Sequence, residues 1–461
     1  MKHRKIIVNK FGGGIMTKKF INLAAKETHK QIKKGFYPII VASALKGITD
    51  QLIEIYQKIK SKTREVNDNV NKKPLNIEKE IEKAVKSIKK EHQDMIDFFK
   101  LAPKNRRQLN IEMEIIFKKL KNDLMAVHRF GVLDVFYDRI LSYGEKLSAL
   151  IFVALLKKYK ISAVRYKTDE VPIQTDDVAG DANIFYEESK KNIQKVLKNS
   201  TKIPVITGFI GRNKKGSTTT LGRGGTDTTA CFVASALKAK KVILWKDVEG
   251  VMSADPRIVK KPKNIAYLSY EEAEESGKII HDKAVQYVKT SQTPFEVRSI
   301  SNLKEKTLIG PANNKHTGPK IIGFKTDLTL LVITDDGVSQ YGFLHGISKI
   351  FNLFKVNMVL IRNTRDSLQI VVEKNNGNVK KAMQKLRTKK YLIQSLNVNM
   401  VSLIGTLSWK MVNKFNDALF NTCPDPQIGA FPYKNCVRLE AIVKTKEMNK
   451  VIRQLHKTFM E

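Results

Sequence analysis

Five short stretches of this chain place charged or small side chains where they could handle anions. The first is Lys10-Phe11-Gly12-Gly13-Gly14, at the carboxyl end of an apolar run. Glycines let backbone N–H groups approach an oxyanion closely, and lysine adds a compact positive charge. The second is Gly222-Arg223-Gly224-Gly225-Thr226-Asp227, which follows PVITGFIG and opens a helical pattern. A helix N-terminus with free backbone donors is an anion site. Asp227 inside it needs a cationic partner, and Lys10 is the candidate. The same residues also read as a plain helix start, with Thr226 or Asp227 as the N-cap.

The third stretch is WKDVEGVMSADPR, residues 245–257. A strand ends here in a turn-rich loop carrying acids and an arginine, which could hold a nucleotide and its Mg²⁺, although D-P-R equally initiates an ordinary surface turn. The fourth is SYGEKLS, residues 142–148, at the head of an apolar helix. Here Ser142 and Glu145 fit a capping box as well as a ligand role for Glu145. The fifth is Ser43-Ala44-Leu45-Lys46-Gly47-Ile48-Thr49, small residues ending a strand, which also reads as a simple loop. Each motif is weak alone, because single glycine motifs match often.

The elements that must carry these motifs alternate in the manner of a parallel sheet. KIIVNKFGGG is a buried strand running into a glycine loop, a helix follows over about 18–34, and 37–44 is a second buried strand. Residues 51–128 repeat apolar positions at helical spacing between Lys and Glu, which predicts a helical insertion with solvated charged faces. Strands return at SAVRYK, KIPVITGFIG and KKVILWKD, with the helix DTTACFVASALKAKK between the last two. PANNKHTGP, residues 311–319, reads as a linker. Beyond it a β-α-β-β-α pattern occurs twice, repeating after about 70 residues. Each copy lacks a clear final strand, and an open edge needs a partner. The strand-like segment 320–325 is expected to supply one to the second copy.

In order and spacing, the five motifs together resemble the aspartate kinase branch of the amino acid kinase family. The most specific piece is GFIG followed by KG-TTTLGRGGTD. KFGG, SYGEKLS, W-DVEGV with DPR, and GK-IH around Lys278 accompany it, so that the resemblance covers about 5–309. The duplicated C-terminal units resemble that family's paired ACT regulatory domains. No Walker A pattern occurs, which excludes P-loop kinases.

The resemblance implies an α/β protein: a three-layer amino acid kinase fold with a mainly parallel sheet over 1–310, then two ferredoxin-like ACT units interlocked over 320–461. It implies phosphorylation of the side-chain carboxylate of L-aspartate by ATP with Mg²⁺. Lys10 and Asp227 would be catalytic. Thr49, Glu145 and Arg223 would hold aspartate. Lys10, Phe11, Gly12, Gly13, Ser43, Thr226, Lys246, Asp247, Met252, Arg257 and Lys278 would line the ATP site. No side chain is assigned as a metal ligand, and a homodimer through the ACT region is expected. The chain departs from the family pattern at Gly14, Ile15, Met252, Ser276 and Asp282, while the charged set is retained.

Bulk composition agrees with an enzyme of this kind. The chain has 461 residues, 42% of them hydrophobic, enough for two to four domains with real cores. Cys231, Cys423 and Cys436 form no ligand or disulfide spacing, which suits a reducing cytoplasm. No membrane span or signal peptide is predicted. The formal charge of +38 raises the question of a nucleic-acid partner, but the lysines are scattered rather than clustered, so no specific one is expected. A catalytically silent amino-acid sensor on the same fold is the rival reading, motivated by the departures.

Overall fold

The computed structural model describes residues 4–68, 77–131, 134–170, 173–197, 200–247, 250–276, 281–334, 342–363, 367–374, 377–389, 391–423, 426 and 437–461. The chain forms two compact units, residues 1–251 with 264–313 and residues 252–263 with 314–461.

The larger unit opens with β1 (Lys5–Phe11), α1 (Ile21–Lys33) and β2 (Phe36–Ala42). The helices α2 (Ile48–Asp68), α3 (Ile77–Phe99), α4 (Pro103–Phe130) and α5 (Asp134–Lys158) follow. Then come β3 (Ala163–Tyr166), β4 (Gln174–Thr175), α6 (Tyr186–Leu197), β5 (Ile203–Thr207), β6 (Ile210–Asn213), β7 (Thr218–Thr220), α7 (Gly225–Ala236) and β8 (Lys241–Lys246). It closes with β9 (Tyr267–Ser269), α8 (Tyr270–Ser276), α9 (Asp282–Thr290), β10 (Phe295–Ser299) and β11 (Lys306–Gly310). The main sheet runs β3-β5-β2-β1-β8-β10-β11-β9. It is parallel from β3 to β10, and β11 reverses direction against β10. The segments β4, β6 and β7 form a small separate sheet.

Strand alternation sorts the side chains of β1 to opposite faces. Ile7, Asn9 and Phe11 face α1 and α5: Asn9 exchanges side-chain hydrogen bonds with Gln31, and Phe11 stacks on Phe152 with ring centroids 5.3 Å apart. Lys10 therefore faces the other way, toward α7. The helical insertion packs its apolar stripe onto the first face, where Leu52, Ile88, Phe99 and Leu120 are buried with Phe152 in one core.

Two local expectations are overturned here. SYGEKLS does not head a helix. It lies in the middle of α5, and the Ser142 hydroxyl donates to the Arg139 carbonyl at 2.6 Å instead of capping. The upstream residues continue the helix because α4 packs alongside and gives their side chains partners. Nor does Thr226 or Asp227 cap α7. The cap is Gly224, with φ of 75°, a left-handed conformation that glycine adopts at little cost.

In the smaller unit, β12 (Gly318–Thr334), α10 (Phe343–Leu353), β13 (Met358–Asn363), β14 (Leu368–Glu373) and α11 (Asn378–Arg387) precede β15 (Leu392–Thr406), α12 (Trp409–Phe420), β16 (Arg438–Lys444) and α13 (Met448–Met460). They build one antiparallel sheet ordered β13-β14-β12-β15-β16. Both long strands serve two repeats. Ile321–Lys325 pair with Met400–Ile404, and Leu328–Thr334 pair with Leu392–Val398. The second copy thus takes its missing strand from ahead of the first, whereas the first, expected to lack a final strand, is closed by the part of β15 that directly follows α11; the strand expected over 428–433 lies outside the described residues. The segment 252–263 belongs to this unit: Ser253 accepts the Ile322 N–H at 2.7 Å, and its hydroxyl lies 3.0 Å from His456 Nε2. Among the described residues no helix is long and apolar enough to cross a membrane.

Candidate active site

A cavity of about 280 Å³ opens in the larger unit where β1, β2 and β5 end and α7 begins. Ligands of parallel sheets collect at this end of the strands. Lys10, Ser43, Thr49, Glu145, Arg223, Thr226 and Asp227 all line it. Residues more than 200 positions apart in sequence are brought together by the crossover connections of the sheet.

Lys10 and Asp227 meet as a buried ion pair, Nζ to Oδ1 2.6 Å, with Lys246 Nζ 3.8 Å from Oδ2. Burial alone would raise the Asp227 carboxyl, but Lys10 and Lys246 outweigh it and hold the group below its ordinary range. For Lys10 burial wins: the amine is pulled below its usual value despite Asp227, and Lys246 adds to the fall. Two cations thus share one carboxylate, leaving positive charge available to an anion. Thr226 Oγ1 donates to Ser43 Oγ at 3.3 Å, joining the α7 terminus to the loop after β2.

Glu145 enters from α5. Its Oε1 accepts the Ala44 N–H at 3.1 Å, while its buried Oε2 has no hydrogen-bond partner among the described residues. Burial pushes this carboxyl up to about 8. A buried acceptor left open in this way suits a cationic ligand. Arg223 stands exposed at the rim, without an ion-pair partner among the described residues. Thr49 lies in the first turn of α2.

The other expected residues divide. Gly12 and Gly13 follow Lys10 in the glycine loop, and the Gly12 carbonyl accepts the Ile15 and Met16 N–H groups. The exposed Asp247 presses against this loop. A Cβ at Gly14 would sit 3.0 Å from Asp247 Oδ2, so the absence of a side chain there gives the carboxylate its place. The Phe11 ring is fully buried between Phe152 and Trp245, leaving its backbone for the loop. The period of two that points Lys10 toward α7 forces this. Met252 and Arg257 do not line the cavity. Both lie on the segment that packs with the smaller unit, and Arg257 pairs with Asp255 at 2.7 Å. Lys278 lies outside the described residues. Among the described residues no group of three or more His, Cys, Asp or Glu could hold a metal ion.

Phe209 is a lining residue that the motifs did not single out. It holds φ of 69°, unusual for a bulky residue, fixed by its N–H donating to Thr229 Oγ1 at 3.0 Å and its carbonyl accepting the Leu221 N–H at 2.9 Å. Its position between two glycine-bounded runs, in GFIG, was the available signal. Taken together, the cavity can place an ammonium at Glu145, a carboxylate at Arg223 and a phosphoryl group near Lys10.

Known proteins share this arrangement of chain. Over 385 residues the sequence is 26% identical to the chloroplastic aspartokinase 1 of Arabidopsis thaliana, covering 77% of this chain and 67% of that one. It is 31% identical over 240 residues to an aspartokinase of Geobacillus stearothermophilus, covering 50% of this chain and 58% of that one. The chain therefore spans about half to two thirds of the length of these curated relatives. The fold superposes on E. coli aspartokinase III in complex with aspartate and ADP with a TM-score of 0.81, covering 99% of this chain and all of that one at 22% identity. The model of the amino acid kinase family matches residues 5–299, the strands, helices and loops that build this cavity, and the chain belongs to that family.

Proposed function

We propose that this protein is an aspartate kinase, transferring the terminal phosphoryl group of ATP to the side-chain carboxylate of L-aspartate. The observation that carries the reading is one cavity that holds a buried Lys10–Asp227 pair, a buried Glu145 oxygen and an exposed Arg223, the last two without a partner among the described residues. Glu145 takes the α-ammonium and Arg223 the α-carboxylate, each by a charge-assisted hydrogen bond. The acceptor carboxylate is already ionised near neutral pH, so no general base is required. Its oxygen attacks the terminal phosphorus, the bond to the bridging oxygen breaks, and ADP leaves. Catalysis is then positioning and charge neutralisation by Lys10 and Lys246. Mg²⁺ would arrive with the nucleotide as part of the substrate and help neutralise its phosphates, and the exposed Asp247 beside the glycine loop would be a carboxylate available to it. A cytoplasmic location and a homodimer through the smaller unit belong to the same reading.

Hydroxylamine converts an acyl phosphate to a hydroxamate. With ATP and Mg²⁺ the protein is expected to form hydroxamate from aspartate and not from glutamate. ADP release without aspartyl hydroxamate would defeat the substrate assignment, and a catalytically silent amino-acid sensor would give neither product.

Arg223 makes no ion pair among the described residues, so Arg223→Ala should leave the fold intact and act through substrate binding. Loss of a charge-assisted contact of about 1.5–3 kcal/mol corresponds to roughly a 10- to 100-fold rise in KM for aspartate. A large fall in kcat with unchanged KM would show that Arg223 acts on the transferring group instead.

A further inference from the structure

The threonine run ahead of the glycine-arginine loop is not used by the mechanism above, yet it is tied to the helix that carries Glu145. Thr220 Oγ1 donates to Asp138 Oδ1 on α5 at 2.5 Å. Thr218 Oγ1 donates to Asp169 Oδ2 at 3.1 Å, and the same oxygen pairs with Lys146 Nζ at 2.6 Å. Lys146 is the residue after Glu145, and the side chains of Lys146 and Asp169 are only 12% and 10% exposed. Both ends of β7 are therefore lashed to α5, at points on either side of Glu145. Three residues beyond β7 stands Arg223.

Asp169 is itself held. Its neighbour Thr168 donates its N–H to Thr207 Oγ1 at 2.9 Å and its hydroxyl to the Thr207 carbonyl at 3.0 Å, both buried at the end of β5. Lys146 and Thr218 converge on one oxygen of the Asp169 side chain, and this junction transmits position because breaking it leaves a buried charge without its partner.

We propose that Asp169, clamped between Lys146 and Thr218, is a positioning residue that sets the separation of Glu145 and Arg223 and so selects an amino dicarboxylate of aspartate's length over one a methylene longer. The proposal rests on the assignment of those two groups to the substrate's ammonium and carboxylate. Asp169 touches no substrate. It acts by holding β7, and with it the Arg223 loop, at one distance from α5. An extra methylene alone shifts binding only modestly in a yielding pocket, whereas a rigid frame turns the length difference into lost polar contacts.

The test compares wild type with Asp169→Asn and Thr218→Val, the second removing a single hydroxyl from the clamp. Two readouts are taken: steady-state hydroxamate formation with aspartate and glutamate, and backbone hydrogen exchange over 217–224. In Asp169→Asn the KM for aspartate is expected to rise roughly 10-fold or more, as for loss of one buried charged partner, with kcat changed by less than about threefold. The preference for aspartate over glutamate narrows, and exchange over 217–224 accelerates. Thr218→Val moves the same quantities in the same direction by a smaller amount. Unchanged KM and unchanged discrimination in a folded Asp169→Asn would overturn the proposal. So would a loss of kcat alone that tracks lowered Tm, which marks a merely structural bond. Should Asp169→Asn not fold, Thr218→Val decides by the same criteria. If wild type makes no hydroxamate from aspartate, the assigned function fails, and hydrogen exchange still judges the clamp: unaltered protection over 217–224 in both variants would sink it.

Discussion

Lys10→Ala is expected to lower kcat by a factor on the order of 10² to 10³, the loss typical of one preorganised charge donor in a dry site. Lys10 is buried, its amine is fixed 2.6 Å from Asp227, and Lys246 lies on the far side of the same carboxylate. In wild type this arrangement exists before any ligand arrives, so little reorganisation is needed when charge builds on the transferring phosphoryl group. Lys246 cannot simply take over, because it ends β8 and is only half-buried. The variant also strands Asp227 in a buried position with one distant cation, so a lower Tm accompanies the kinetic loss. Separating the two effects needs single-turnover rates measured well below the variant's Tm. A Lys10→Ala protein with near-normal kcat would remove the central mechanistic claim.

Glu145→Gln should raise the KM for aspartate by about 10²-fold, and its pH behaviour distinguishes a binding role from a packing role. Desolvation pushes the Glu145 carboxyl up to about 8 from an ordinary value of 4.5. In the empty protein the group therefore carries a proton near neutral pH. An incoming ammonium needs it ionised, so binding expels that proton. Wild-type kcat/KM for aspartate should accordingly climb from about pH 6 to about pH 8 and then level off. The variant, with nothing to ionise, should lack that rise.

Stability moves in the opposite direction. The folded protein holds the Glu145 proton between the unfolded and folded values while the unfolded chain does not. The contribution is fully present below about 4.5 and is lost as pH rises through about 8, at no more than about 1.4 kcal/mol per pH unit. The Tm of Glu145→Gln relative to wild type should therefore increase with pH across that window. A constant Tm difference, with an unchanged pH profile for kcat/KM, would show that Glu145 is not the ammonium partner.

The sequence by itself determined the class of this protein. Alternating apolar strands and helices, with glycines at strand ends, dictate a parallel sheet whose carboxyl edge binds anions, because only glycine lets backbone donors approach so closely there. The charged set Lys10, Glu145, Arg223 and Asp227 was legible only from the five motifs taken together, whose order and spacing resemble one family, since each motif is weak alone. The doubled C-terminal pattern and the open edge needing Ile321–Lys325 were legible for the same reason: hydrophobic period is a local property.

What only the tertiary structure decided were matters set by long-range neighbours. The SYGEKLS segment has the composition of a helix start, but packing by α4 extends α5 through it, and no window within the motif contains that information. The Phe11 ring belongs to the core although its motif reads as an anion loop, since pleating sends adjacent residues of β1 to opposite layers. The segment holding Met252 and Arg257 reads as continuous with β8, yet it packs against the smaller unit through Ser253 and His456, residues about 200 positions apart. The Asp169 clamp has no motif at all. Its five participants, on α5, the loop after β3, the end of β5 and β7, acquire meaning only when the sheet brings them within hydrogen-bonding distance, and that distance is fixed by packing rather than by any residue's own preference.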